Sequence, residues 1–211
     1  MTKNLQILLG FLVPFSNLLG SGDDIPKYEH WQRVLVHALP TTFLVFWLFR
    51  FVPYVGGFFY MLVLLPLSAF IYMKDVDTAA RARLLLLYYT VILIGFGSCW
   101  SFIGHTVLAE SVASDIGWET GSPFQTELAF YTLGSGIAGL LAIWLRGHLI
   151  TALVISKSIF WYGAAYVHIQ DALVNANYSP LNIGTPLIGD IIYPTLLLAL
   201  LWKSGLLSTE S

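Results

Sequence analysis

Apolar residues in this chain gather into long runs, separated by short polar links. The runs cover residues 34–49, 53–73, 84–108, 127–145, 149–168 and 187–202, with a shorter one over 5–19. None shows the period-2 alternation of a barrel strand. Only helices and closed barrels satisfy every backbone group in hydrocarbon. The pattern therefore predicts an all-α, polytopic membrane helix bundle of six to seven helices, built as one domain. The count turns on the first run. Residues 5–19 are short against the ~20 residues of a full span, and Pro14 interrupts them. No small-x-small cleavage pattern follows, so the segment reads as a retained helix that either crosses thinly or lies at the interface.

Composition agrees. Hydrophobic residues make up 57% of the 211 and charged residues 10%, with a mean hydropathy of +0.75. A soluble domain carries about 25% charged residues, so the apolar excess is expected to face a lipid bilayer. A net charge of -2 excludes nucleic acid as a partner, which needs a basic face. One cysteine, Cys99, excludes an internal disulfide and any cysteine-rich metal centre.

The charges that remain are unevenly spread. No lysine or arginine lies between Arg83 and Arg146, where Glu110, Asp115, Glu119 and Glu127 all fall. Basic residues favour the cytoplasmic side. Lys74, Arg81, Arg83, Arg146 and Lys203 then lie inside, while loops 109–126 and 169–186 lie outside and the C-terminus is cytoplasmic. This is the multi-pass topology of an inner-membrane protein, and Arg50 is its one exception.

Small residues mark helix faces that approach closely. Gly97, Ser101, Gly104 and His105 recur at helical spacing, as do Gly134, Ser135, Gly136, Ala138 and Gly139. They predict packing inside the bundle, and secondarily a seam for a homo-oligomer or a larger membrane complex. Pro40, Pro66 and Pro194 fall inside runs and are expected to bend their helices.

Chemistry is confined to a few groups. His105, Glu110 and Glu127 are expected near one depth at the outer side, and His168 with Asp171, at i and i+3, emerges there too. Imidazole and carboxylate suit a divalent metal ion, so these five are the candidate ligands. Against that, no H-E-x-x-H occurs. Glu127 also has a structural explanation: Ser122 or Thr126 as cap, Pro123 early, and a carboxylate in the first turn of a helix. Lys157 lies in mid-run, where an ammonium costs at least about 2.5 kcal/mol and usually marks function; snorkelling is the alternative. No carboxylate is evident at its depth. Lys157, Trp161 and His168 follow one stripe that joins the membrane interior to the outer polar cluster. Asn177-Tyr178-Ser179 matches a glycosylation tripeptide, a weak signal.

The stretch Gly117-Trp118-Glu-Thr-Gly121-Ser-Pro123-Phe-Gln125-Thr-Glu127, with Leu133 to Gly136 and Gly163 to His168, resembles a family of uncharacterised prokaryotic multi-spanning integral membrane proteins with a GWxxGSPFQxE loop motif. The resemblance implies an inner-membrane protein and supplies no activity. It implies that Trp118, Gln125, Glu127 and His168 belong to one design. The resulting expectation is an outward-facing polar pocket with Lys157, Trp161, Trp118 and Gln125 as ligand-binding residues. Small-solute or ion transport or binding is the leading function. A membrane-embedded metal or redox enzyme, and an accessory subunit of a larger complex, are the alternatives. No catalytic residue is assigned.

Overall fold

The computed structural model describes residues 77–207. The runs expected over 5–19, 34–49 and 53–73, with Pro40, Pro66 and Arg50, lie outside the described residues, so the count of six to seven helices concerns more of the chain than is described. Within 77–207 the chain is helical, with no strand. Five helices follow in order. α1 is Thr78–Thr106, α2 Ala109–Ile116, α3 Pro123–Leu141, α4 His148–Asn175 and α5 Pro180–Ser204. A bend at Gly184 separates the first turn of α5, Pro180–Ile183, from the rest.

α1, α4 and α5 are long and apolar enough to cross a membrane. α3 replaces the run expected at 127–145 but is not among these three, because Gln125, Glu127 and three glycines dilute its hydropathy. Boundaries also differ from the apolar runs. α1 opens at Thr78 rather than 84, α4 continues past His168 to Asn175, and α5 opens at Pro180 rather than near 187. The extra turns interleave polar residues such as Gln170, Asp171, Asn175 and Asn182 with apolar ones, which breaks the apolar run before the helix ends. Proline at the first helical position, where its missing N–H costs nothing, starts α5.

α1 starts at Asp77, whose carboxylate accepts the Ala80 N–H at 3.0 Å. It is not uniform: Thr90–Phe96 is a π-helical segment between two α-helical stretches. The stretch before it packs on α5, whereas the π-segment and the stretch after it pack on α3. α5 in turn packs on α4. Leu86, Tyr89, Ile94, Val154, Leu197 and Leu201 fill the centre. With lipid as the alternative solvent, such packing rather than water exclusion holds helices together.

The α1–α3 seam depends on absent side chains. A Cβ on Gly139 would sit 2.5 Å from the Gly95 nitrogen, and one on Gly136 2.7 Å from Cys99 Sγ. Of the small residues singled out on α1, Gly97 is exposed, and the backbones meet at Gly95 and Cys99 instead. On α3 the expectation holds at Gly136 and Gly139, while Gly134 faces open space. At the end where α1 begins and α5 finishes, the Arg83 guanidinium donates to the Ser204 carbonyl at 2.8 Å.

Gly139→Ala is expected to destabilise the protein by about 1–3 kcal/mol, since only backbone atoms lie in the way. Gly134→Ala should be neutral or slightly stabilising through better helix propensity. Unfolding in detergent micelles compares the two.

Candidate functional site

The two base-free loops meet at one end of the bundle. α2 ends at Gly117 with φ of 85°. A side chain there would collide with the following loop, its Cβ falling 2.5 Å from Ser179 Oγ and 2.7 Å from Asn177 Oδ1. Glycine thus lets the 177–179 loop dock on α2. The end of α4 is equally specific: Ala176 takes a left-handed conformation, φ 53°, and turns the chain back over the helix. That conformation costs a non-glycine residue roughly 1–2 kcal/mol. The bonds made by Asn177 offset it.

Asp171 is the hub of this junction. Its oxygens accept from Trp118 Nε1 at 2.9 Å, Asn175 Nδ2 at 2.7 Å and Asn177 Nδ2 at 2.6 Å. Asn177 Nδ2 also donates to the Ile116 carbonyl, and its Oδ1 accepts from the Ser179 N–H. Both ends of the amide are engaged, which explains Asn177 and Ser179 structurally. The bond from Trp118 to Asp171 lays the indole flat on the His168 ring, with centroids 5.3 Å apart and planes 10° from parallel.

Beneath Trp118, His168 is 7% exposed and sits between two side chains of α5. Its Nδ1 is 2.7 Å from Asn182 Oδ1, and its Nε2 is 4.0 Å from Asp190 Oδ2. Asn182, fully buried, uses its Nδ2 to donate to the Asn177 carbonyl at 2.7 Å. Deeper along α4, Lys157 is 2% exposed. Its ammonium lies over the rings of Phe160 (4.5 Å), Trp161 (5.0 Å) and Tyr131 (5.3 Å), the last from α3. Such cation–π contacts stabilise a desolvated ammonium. Burial of this kind is not snorkelling.

A carboxylate does lie within electrostatic reach of Lys157, where the sequence suggests none. Asp190 acts electrostatically on Lys157 from α5, and it also faces His168. The sequence hides it because the apolar run starts near 187, which puts Asp190 at an outer edge. The Ser179-Pro180 pair was the available signal: a helix opening there carries Asp190 well inside. Asn182 was missed for the same reason. His168 and the half-buried Asp190 face each other between α4 and α5, and with Lys157 deeper along α4 they make up a polar column, Trp161 packed beside it against Tyr193.

The other expected residues are placed elsewhere. Glu110 is exposed in the first turn of α2, and His105, half-buried near the end of α1, has its Nδ1 shielded with no hydrogen-bond partner among the described residues. Glu127 is exposed beyond the first turn of α3, so the expected dipole role does not hold; Pro123 does open that helix, but Ser122 makes no side-chain cap. Gln125 donates to the Ala109 carbonyl at 2.9 Å and, with Glu110, lines an open cavity of about 540 Å³, apart from Trp118. No three His, Cys, Asp or Glu side chains come together as a metal site among the described residues. The five expected ligands divide instead: His168 and Asp171 share Trp118, while His105, Glu110 and Glu127 form no such group with them.

The sequence model of DUF6790, a family of unknown function, matches residues 54–209. The chain belongs to that family. Every helix and residue of the column in this DUF6790 chain lies inside the match. No curated protein and no solved structure matches it.

Asn177→Ala, which removes bonds to Asp171, Ile116 and Ser179 at once, is expected to cost about 1–3 kcal/mol. Hydrogen exchange should show the loss concentrated in α2 and the 177–184 segment, with the α1–α3 seam unaffected.

Proposed function

We propose that this protein is an integral membrane protein that binds and moves a small ion through the column between α4 and α5. One observation carries the reading: Lys157, Asp190 and His168, all ionisable, line up inside two helices long and apolar enough to cross a bilayer. Ionisable groups are expensive in that setting, and where they occur they mark ion pathways and proton relays. Purely structural polar groups would be cheaper as apolar side chains of the same volume.

The charge distribution supports an orientation. Among the described residues, Arg81, Arg83, Arg146 and Lys203 lie toward one end of the bundle, and the opposite end carries Glu110, Asp115, Glu119 and Asp171 without a lysine or arginine. The basic end is cytoplasmic in an inner membrane, so the Trp118 mouth faces outward and attracts cations.

In a Cys99→Ala background, cysteine at Ser114 should react with a membrane-impermeant thiol reagent from outside, and cysteine at Leu207 only after permeabilisation. Labelling with the opposite pattern would reverse the orientation. For transport, the purified chain in planar bilayers should conduct above the protein-free level. Lys157→Met and Asp190→Asn should each lower that conductance by about tenfold or more, a barrier change of about 1.4 kcal/mol per decade. Conductance equal to protein-free bilayers for the wild-type chain would refute ion movement.

A further inference from the structure

The bonds around Asn182 fix which nitrogen of His168 carries hydrogen. Asn182 Nδ2 donates to the Asn177 carbonyl at 2.7 Å and reaches the His168 carbonyl at 3.4 Å. Both partners are carbonyl oxygens, so only the amide NH2 can serve them, and the orientation of the side chain is set. Its Oδ1 is then the atom 2.7 Å from His168 Nδ1. An amide oxygen can only accept. His168 Nδ1 must donate, and neutral His168 is the tautomer with hydrogen on Nδ1.

The consequence falls on the opposite ring atom. Nε2 carries a lone pair and is the only site on the ring that can take up a proton. It points at Asp190 Oδ2, 4.0 Å away, too far for a direct bond and close enough for a small swing of either side chain or one bridging water. The indole of Trp118 covers the ring face. Asp171, three residues along α4, is the other acid near the ring, and its oxygens are engaged by Trp118, Asn175 and Asn177. Beyond Asp190 on the inner side stands Lys157, and Tyr193 is the further titratable group beside Asp190.

We infer that the ion handled by this column is the proton, passed between Asp190 and His168 Nε2, with Asn182 as the positioning residue that keeps Nε2 free to receive it. The inference rests on the column being the ion path proposed above. The step balances: a protonated Asp190 gives its proton to Nε2, which restores the carboxylate and makes an imidazolium. Charge moves outward with the proton, and no oxidant or other reactant is required. A proton needs only exchangeable sites within a swing of each other, whereas a larger ion must bring a hydration shell or replace it with ligands. The groups touching His168 offer one carboxylate and one amide already committed to the ring.

Two measurements on the full chain in lipid test this. In nitrogen-15 NMR of the wild-type protein, neutral His168 should show hydrogen on Nδ1 and none on Nε2; the reverse tautomer overturns the inference without recourse to a variant. In planar bilayers, the reversal potential should follow an imposed pH gradient and ignore gradients of potassium, sodium and chloride. Asn182→Leu should cut proton flux by about tenfold or more, with Nε2–H appearing in the spectrum, while Asn182→Ser, which keeps an acceptor, restores part of both. A reversal potential that follows potassium, sodium or chloride would overturn the proton assignment and leave the column as an ion path. A wild-type chain that conducts nothing would remove the ion path itself.

Discussion

The bond between His168 Nδ1 and Asn182 Oδ1 is the contact on which the outer half of the molecule depends. It joins the last turns of α4 to the first turn of α5 inside the bundle. Through the remaining bonds of Asn182, it also holds the 177–179 loop that docks on α2. The same bond aims the imidazole. One buried amide therefore serves the fold and the electrostatics together, and neither could be altered without the other. A half-satisfied polar group at this depth would cost more than an apolar one. The completeness of the arrangement is what makes it tolerable.

Above that bond the structure divides two tasks between two carboxylates. Asp171 is exhausted by three donors and acts as a knot for three segments of chain. Asp190 faces His168, with Lys157 within electrostatic reach. The carboxylate with the more conspicuous surroundings is the structural one, and the one with fewer bonds belongs to the proposed ion path. Trp118 connects the two tasks, since its N–H is bound to the knot and its face covers the imidazole.

Much of the framework was legible in the chain because hydrophobic runs report directly on helices. The positions of α1, α3, α4 and α5, the close approach at Gly136 and Gly139, the proline start of α3 and the burial of Lys157 all follow from local pattern. What could not be read is pairing across elements. Nothing local distinguishes Asp171 from Asp190, because their difference lies in how many donors each meets after α4 and α5 pack. The helix ends misled for a related reason. The turns over 169–175 break the apolar run with Gln170, Asp171 and Asn175, yet Asn175 bonds to Asp171 one turn back and the helix continues. His105 and Glu127 looked like partners of His168 only because sequence gives depth without azimuth.

The π-helical segment of α1 bears on that azimuth. An α-helix advances about 100° per residue, so each residue added to a turn rotates everything downstream. The wider turns of Thr90–Phe96 reset the phase of α1 between the stretch that faces α5 and the stretch that faces α3. α1 thus behaves as a coupling joint with two independently indexed faces. A chain shortened by a single residue within 90–96 would keep its composition and its hydropathy, yet present Gly95 and Cys99 to the wrong neighbour. Sequence length in this segment is under a constraint that no individual side chain there expresses.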